Sequence, residues 1–145
     1  MKLSTRSRYG MRAILELAIE YGKGPLQIKT IAEREGISNK YLEQLVSILK
    51  ASGLIRSVRG PKGGYVLTKP PHEITVKEVF SILEGPLSTV ECIEHPESCE
   101  RCIDCLTRDV WIEMQQAMLA VLESKTLADL IQKAKKCNSG SNFQI

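Results

Sequence analysis

The sequence lacks any apolar stretch long enough to cross a membrane. Its longest uninterrupted apolar run extends only from Ala117 to Leu122, whereas a membrane-spanning helix needs about 20 residues. The amino terminus, residues 1–6, is basic but has no apolar core behind it, so it does not resemble a signal peptide. These absences predict a protein of the cytoplasm without a membrane partner, in a compartment where cysteines stay reduced.

The sequence also lacks the residue patterns of common enzyme sites. It contains no internal repeat, no phosphate-binding loop, no Ser/His/Asp set and no spaced pair of carboxylates. Hydrophobic residues make up 43% of the 145 residues and charged residues 26%, a balance typical of a folded protein. We therefore expect one binding domain with an appended arm rather than an enzyme.

The charge, by contrast, is unevenly distributed along the chain. Residues 1–70 contain 13 Lys and Arg against 5 acidic residues, whereas residues 71–145 contain 7 against 12. A basic first half indicates an acidic partner such as nucleic acid. The second half contains all five cysteines, so the chain is expected to combine two functions.

Residues 1–84 show the pattern of a winged helix-turn-helix. Apolar residues at helical spacing indicate three helices, which we place at residues 6–21, 28–36 and 39–51. Two strand-like runs follow, at 54–59 and 64–68, and the glycine- and proline-bearing turn between them predicts a β-hairpin, or wing. A helix capped by Thr75 completes this DNA-binding domain. The predicted fold class is therefore mainly α with a small β-hairpin wing.

The pattern changes beyond residue 84. In residues 85–105 the apolar residues show neither helical nor strand spacing, and the stretch contains four cysteines. We therefore interpret it as a cysteine-rich loop. Residues 106–136 are predicted to form a long helix, with Trp111 and its methionines as core, and a last helix capped by Thr126. One apolar side of the long helix exceeds what a small domain covers, which indicates a homodimer formed through it. Residues 137–145 are predicted to be a flexible tail.

The third helix carries side chains suited to reading DNA. In a winged helix-turn-helix this helix enters the major groove, and here its apolar residues leave a polar face free. Gln44 is suited to adenine edges and Lys40 to guanine or phosphate. A slim basic hairpin tip reaches the minor groove or the backbone. The candidate DNA-binding residues are therefore Lys40, Tyr41, Gln44, Arg59 and Lys62. An ordinary helical bundle with a solvated charged face is the alternative.

The cysteines of the predicted loop have the spacing of a ligand set. Thiolates suit iron–sulfur clusters, and four of them also satisfy tetrahedral zinc. Six acidic residues against two basic ones between Glu91 and Asp109 predict raised thiol pKa values, which argues against unliganded reactive thiols. Cys137 lies apart and is interpreted as a surface thiol. The pattern C-x6-C-x2-C-x2-C comprises Cys92, Cys99, Cys102 and Cys105.

Four segments of the chain resemble the IscR/CymR family of bacterial winged-helix regulators. They are residues 1–10 (MKLSTRSRYG), Ile37-Ser38 with residues 41–45 (YLEQL), residues 58–65 (VRGPKGGY), and Cys105-Leu106-Thr107 leading into Trp111. The resemblance covers residues 1–136. It implies a dimeric transcription regulator on a palindromic DNA operator, with Ser38, Tyr41, Gln44 and Arg59 at the DNA.

The resemblance also implies a cofactor. In the cluster-binding members of this family, three cysteines bind an iron–sulfur cluster, commonly 2Fe-2S, with 4Fe-4S as the alternative; they match Cys92, Cys99 and Cys105. The IscR branch often has a histidine where this chain has Arg108, whose guanidinium stays protonated and cannot ligate. The fourth ligand stays open among four candidates: Cys102, His95, a nearby carboxylate and a group from the partner subunit.

These observations predict a homodimeric regulator whose cysteine loop binds an iron–sulfur cluster. Gain, loss or oxidation of the cluster would reorder the loop and shift the two DNA-reading heads relative to each other. One alternative is a cluster-free repressor of sulfur or cysteine metabolism that senses through a partner protein, with zinc or reduced thiols in the loop. Another is a small electron carrier whose basic half docks an acidic redox partner.

Overall fold

The structure is a computed structural model that describes residues 2–140, which form seven α-helices and one antiparallel hairpin. The helices are α1 (Thr5–Ile19), α2 (Ile28–Glu35), α3 (Asn39–Ala51), α4 (Val76–Glu84), α5 (Glu91–Glu94), α6 (Arg108–Glu123) and α7 (Leu127–Gly140). The strands β1 (Ile55–Val58) and β2 (Gly64–Leu67) pair with Ile55 opposite Leu67. The predicted helical fold with a hairpin wing is confirmed. Within residues 2–140, no helix has the length and apolar character of a membrane span.

The core lies where the apolar faces of the first four helices meet. Helix α3 buries the four residues that its spacing places on one side, which are Leu42, Leu45, Val46 and Leu49. Ile14 of α1 and Ile31 of α2 are fully buried against them. Because one side of α3 is used entirely for packing, its opposite side is left for another partner.

The beginning of α1 is tied to the end of α4. Ser4 caps α1 by accepting a hydrogen bond from the Ser7 N–H at 3.1 Å. The hydroxyl groups of Ser4 and Ser7 both donate to the Glu84 carboxylate, Ser4 at 2.6 Å. Close by, a Cβ atom at Gly10 would lie 2.6 Å from the Leu83 side chain, so the two helices approach closely. Helix α4 is therefore fixed to α1.

We expect the substitution Glu84→Gln to lower stability at neutral pH and to have little effect in acid. The hydrogen bonds from Ser4 and then Ser7 lower the pKa of Glu84. A carboxyl group with a lowered pKa in the folded state stabilises the fold above its unfolded pKa, and this contribution is lost as the pH falls through the folded value. Thermal unfolding midpoints of the two proteins should differ at neutral pH and converge as the pH falls below the ordinary carboxyl pKa and through the lowered pKa of Glu84. A difference that stays constant with pH would contradict this role of the charge.

The wing depends on a glycine at its turn. The Gly63 N–H donates to the Gly60 carbonyl at 3.0 Å, and a Cβ atom at Gly63 would overlap the carbonyl oxygen of Val58. Backbone hydrogen bonds of 3.0 and 2.9 Å between Leu26 and Tyr65 attach β2 to the segment before α2. The hairpin is thus held against the helices at its base, and its tip is exposed.

Residues 85–105 contain short turns of helix where an irregular loop was predicted. Helix α5 closes with a bond from the His95 N–H to the Glu91 carbonyl at 2.9 Å, and a 3-10 turn covers Pro96–Ser98. Helix α6 begins at Arg108 rather than Leu106, and Leu106 is 98% exposed. Single turns are too short to show a hydrophobic period, which is why periodicity missed them.

Helix α7 extends further than its sequence pattern predicted. Its capping box is formed, because the Thr126 N–H donates to the Asp129 carboxylate at 2.9 Å and the Asp129 N–H to the Thr126 hydroxyl at 3.2 Å. Leu127 is fully buried and its N–H donates to the Ile74 carbonyl, which joins α7 to the start of α4. The prediction of a flexible tail is wrong for residues 137–140, which belong to α7. Residues 141–145 lie outside the described part of the chain.

Candidate DNA-binding surface and cysteine segment

Helix α3 presents a continuous polar face to solvent. Ser38 caps the helix by accepting a hydrogen bond from the Tyr41 N–H at 3.2 Å, and its own hydroxyl proton remains available to another acceptor. Six side chains on the side opposite the core are exposed, namely Asn39, Lys40, Glu43, Gln44, Ser47 and Lys50. The structure thus brings Ser38, Lys40 and Gln44 together on one exposed surface.

Tyr41 and Arg12 have structural contacts that the sequence did not reveal. Tyr41 is half-buried and packs edge-on against Tyr9, with 6.1 Å between ring centroids. The Arg12 guanidinium lies 5.2 Å from the Tyr9 ring and forms an ion pair with Glu35. Arg12 therefore adds less to the basic surface than its charge alone indicates, and the aromatic pair holds the start of α3 against α1.

Helix α3 and the wing carry exposed cations that have no acidic partner within the described residues. Arg12 and Arg34 are neutralised by acidic residues of neighbouring helices. None of the remaining candidates forms an ion pair with another described residue, and all of them are exposed: Lys40, Lys50, Arg59 and Lys62. An exposed cation without an acidic neighbour keeps its full charge for an anionic partner. This arrangement suits a phosphate backbone that lies along α3 and the hairpin tip.

The four closely spaced cysteines lie between α4 and α6, and none is in a disulfide. Cys99 is exposed, the other three are half-buried, and the Cys102 thiol lies 3.7 Å from the Cys92 carbonyl. Within residues 2–140, no three His, Cys, Asp or Glu side chains form a group that would hold a metal ion. Four reduced thiols have the right chemistry for an iron–sulfur cluster. Their convergence on one centre requires this segment, residues 85–107, to rearrange; we call it the cysteine segment.

The pKa of Cys105 is lowered, contrary to the expectation drawn from the acidic composition of the segment. The Thr107 hydroxyl, with its oxygen 3.4 Å from the Cys105 sulfur, is the largest cause. The backbone N–H groups of Thr107 and Arg108 and the Arg108 charge lower the pKa further. Donors at the start of α6 thus stabilise the thiolate more than its partial burial opposes it.

A cavity of about 450 Å³ opens beside two of these cysteines. Its lining consists of Pro96, Glu97, Cys99, Glu100, Cys102, Ile103 and Arg108. Arg108 is half-buried, and its Nε atom is buried without a hydrogen-bond partner within the described part of the chain. The cavity lining therefore combines two thiols, two carboxylates and one guanidinium.

Hydrogen bonds connect the cysteine segment to α6. The Ser88 hydroxyl and the Thr89 N–H lie 3.3 and 3.2 Å from Oε1 of Gln115, and the Thr89 hydroxyl donates to the Trp111 carbonyl at 3.3 Å. Helix α6 packs in turn against α4. A chain of direct contacts therefore runs from the cysteine segment through α6 and α4 to α1 and α3.

Helix α6 exposes an apolar row instead of burying it. No α6 residue is buried, so the prediction that Trp111 and the methionines form core is wrong; Trp111 is half-buried. Val110, Met114 and Val121 are 53%, 45% and 61% exposed. A row of exposed apolar residues on one helix is typical of a protein–protein interface.

Three helices followed by a hairpin, with an exposed polar face on the third helix, define a winged-helix transcription regulator. The chain belongs to the Rrf2 family of iron-dependent transcriptional regulators, whose family profile matches residues 3–133. The resemblance predicted from the sequence is thereby confirmed. The prediction that the chain is not an enzyme is also confirmed, because its relatives are transcriptional regulators.

Similar relatives include proteins named CymR and proteins named IscR. The transcriptional regulator CymR of Bacillus subtilis is 45% identical over 130 residues, which are 90% of this chain and 89% of CymR. A solved structure of CymR, described as the global cysteine regulator of B. subtilis, matches with a TM-score of 0.79 and 43% identity over 92% of this chain and 98% of that one. The structure of T. potens IscR matches with a TM-score of 0.78 and 38% identity over 94% and 90% of the two chains.

Proposed function

We propose that this regulator binds palindromic DNA as a homodimer and senses iron–sulfur cluster or redox status through its cysteine segment. The observation that carries the proposal is that four thiols without disulfides lie in the segment that leads into α6, with a cavity beside two of them that is also lined by Arg108. Helix α6 is also the helix that exposes an apolar row. Helix α6 would therefore both adjoin the cysteine segment and form the contact between the two copies of the dimer.

In this proposal α3 lies in the major groove and the wing contacts the adjacent backbone. Gln44 reads a base edge, while Lys40, Arg59 and Lys62 contact phosphates or guanine. The Ser38 hydroxyl donates its free proton to a phosphate oxygen, and Tyr41 contacts DNA through the part of its ring that is not packed against Tyr9. The exposure of the four long polar side chains supports these roles.

The exposed row on α6 is proposed to pack against a second copy of this chain. A two-fold pair of α3 helices matches a palindromic site, because each half-site is read by one copy. Since α6 packs against α4, a shift of α6 in the dimer would change the separation of the two α3 helices.

The proposed cluster ligands are Cys92, Cys99 and Cys105, with Cys102 as a tentative fourth. An iron–sulfur cluster, 2Fe-2S or 4Fe-4S, would supply a one-electron redox centre that is lost on oxidation. The thiols must converge to hold it, and this movement strains or shifts the hydrogen bonds from Ser88 and Thr89 to α6. The two arrangements of the segment would then favour different dimer geometries, and thus different affinities for DNA.

A second candidate function is cluster-free regulation of cysteine or sulfur metabolism through a partner protein. It is supported by the likeness to CymR, whose solved structure is described as that of a global cysteine regulator. In this case the thiols would stay reduced or hold zinc.

One measurement separates the two functions. Protein purified without oxygen should show visible charge-transfer bands, with iron and acid-labile sulfide in matching amounts. The ratio of iron to chain then identifies the cluster type. Protein that stays colourless after anaerobic reconstitution would overturn the cluster proposal, and a zinc assay and a search for a protein partner would follow.

The substitution Gln44→Ala should relax base preference with little effect on non-specific binding. Loss of a direct base contact costs about 1–3 kcal/mol of discrimination at one position. The operator is first obtained by selection from random duplexes, and affinities are then compared for single-base variants of that operator. Gln132→Ala, which changes an exposed glutamine on α7, is the matched control. An unchanged base preference in Gln44→Ala would show that another face reads the DNA.

A further inference from the structure

One arginine of α1 contacts the turn that separates α2 from α3. Nε of Arg12 donates a hydrogen bond to the Glu35 carboxylate at 2.5 Å, and Nη2 donates to the Glu35 main-chain carbonyl at 2.8 Å. Glu35 is the last residue of α2. The guanidinium carbon lies 5.2 Å from the centre of the Tyr9 ring, and this ring packs edge-on against Tyr41 in the first turn of α3. Arg12 thus holds the end of α2 directly, and a single aromatic ring connects it to the start of α3.

The guanidinium group is suited to this place by its shape. Its planar fork directs N–H groups to the carboxylate and to the carbonyl at the same time, while the group lies over the Tyr9 ring. The carbonyl groups in the last turn of a helix have no partner within the helix, so the bond to the Glu35 carbonyl satisfies one of them. A lysine would keep the charge but not this planar arrangement.

We infer that Arg12 is a positioning residue for DNA recognition, which fixes the start of α3 relative to the end of α2 without contacting DNA itself. The inference rests on the proposed placement of Ser38 and Tyr41 at the DNA. Tyr41 packs against Tyr9, and Ser38 caps α3 through the Tyr41 N–H, so the positions of both depend on where this turn is held. The Arg12 charge is already paired with Glu35, and it therefore adds little to the attraction of phosphates.

The substitution Glu35→Ala separates positioning from a direct phosphate contact, because the two roles predict opposite signs. If Arg12 bound a phosphate, loss of the competing carboxylate would free its charge and tighten DNA binding. If Arg12 positions α3, the same loss removes its anchor on α2 and weakens binding to the operator. Arg12→Gln removes the charge itself, so a phosphate contact would also make the salt dependence of affinity shallower by about 1 for each copy of the chain.

A second ion pair between α1 and α2 provides matched controls. Arg34 pairs with Glu16 at 2.9 Å and with Glu20 at 3.3 Å. The two side chains of the Arg34–Glu16 pair are 43% and 15% exposed, and those of the Arg12–Glu35 pair are 47% and 16% exposed. Within the described residues, Arg34 forms no hydrogen bond or ion pair with α3. Arg34→Gln and Glu16→Ala therefore break the same kind of contact between the same two helices, away from the turn.

The test measures specific recognition separately from folding. Each full-length variant is titrated at several salt concentrations against the operator obtained by selection from random duplexes, and against a duplex of unrelated sequence. The ratio of the two affinities reports recognition of the operator, whereas a loss of folded protein would lower both affinities in the same proportion. Thermal unfolding midpoints are recorded for the same preparations.

We expect Arg12→Gln to lower the affinity for the operator about tenfold, comparable to the loss of one good base contact. Its affinity for the unrelated duplex and its salt slope should change little. Glu35→Ala should weaken operator binding in the same direction but less, because the hydrogen bond to the Glu35 carbonyl remains. Arg34→Gln and Glu16→Ala should match the wild type in the affinity ratio.

Three results would overturn the inference. Tighter operator binding in Glu35→Ala, with a shallower salt slope in Arg12→Gln, would show a direct phosphate contact. An affinity ratio that is unchanged in Arg12→Gln, or that falls equally in Arg34→Gln, would show that Arg12 has no particular part in positioning α3. A wild-type protein that binds no duplex selectively would instead overturn the proposed function, which distinguishes that failure from the others.

Discussion

Replacing Cys99 by alanine is expected to remove nearly all bound iron and sulfide and to make DNA affinity independent of iron supply. The other cysteines cannot replace this ligand without a further rearrangement, because the thiols are not gathered in advance within residues 2–140. Cys99 is exposed, so the substitution leaves no cavity and the fold should persist. Iron and sulfide are measured per chain, and DNA affinity is compared before and after anaerobic reconstitution.

The remaining cysteines provide the controls for this experiment. Cys92→Ala and Cys105→Ala should behave as Cys99→Ala does, whereas Cys137→Ala, in α7 and outside the segment, should keep the wild-type content. Cys102→Ala tests whether Cys102 is the fourth ligand of the cluster. If this variant keeps the full amount of iron, the fourth ligand is another group. Wild-type amounts of iron and sulfide in all three variants at Cys92, Cys99 and Cys105 would refute the ligand assignment.

The charge reversal Arg59→Glu is expected to weaken DNA binding by about tenfold for each wing, and thus by about a hundredfold for a dimer. Arg59 is exposed beside the hairpin turn and has no ion pair within the described residues. A carboxylate there both eliminates the interaction with a phosphate and repels the backbone. The plot of log affinity against log salt should also become shallower by about 1 for each phosphate that the variant no longer neutralises.

Arg56→Glu is the matched control for the wing. Arg56 is exposed on β1, with the same charge and in the same hairpin, but further from the turn. Titrations of a fluorescent operator duplex at several salt concentrations should show a much smaller decrease in affinity for Arg56→Glu than for Arg59→Glu. Equal decreases in affinity in Arg56→Glu and Arg59→Glu would show that net charge causes the effect. Unchanged affinity in both variants would show that the wing does not contact the DNA.

The two halves of the molecule are connected through α4 and α6. Helix α4 is bound to α1 through Glu84 and its serine partners, and Lys77 of α4 forms an ion pair with Glu123 of α6. Helix α6 receives the hydrogen bonds of Ser88 and Thr89 from the cysteine segment. These packed elements connect the cysteine segment to α1 and α3, which is the path that the proposed sensing would need.

The sequence by itself determined the features that depend on near neighbours in the chain. The inward side of α3 follows from apolar spacing, and Ser38, Thr75 and Thr126 form the helix caps that their residue types predict. The hairpin follows from a glycine-rich turn between two strand-like runs. These signals are readable because their energies arise within a few residues, through helical periodicity, capping and turn geometry.

Only the tertiary structure decided the contacts between distant parts of the chain. Arg12 is neutralised by Glu35, 23 residues away, and Glu84 is held by two serines, 80 and 77 residues before it. The lowered pKa of Cys105 arises from donors at the start of α6, and the cavity beside Cys99 and Cys102 has walls from both the cysteine segment and α6. Charge and hydrogen bonding depend on distances of a few ångströms in space, and separation along the chain does not define those distances.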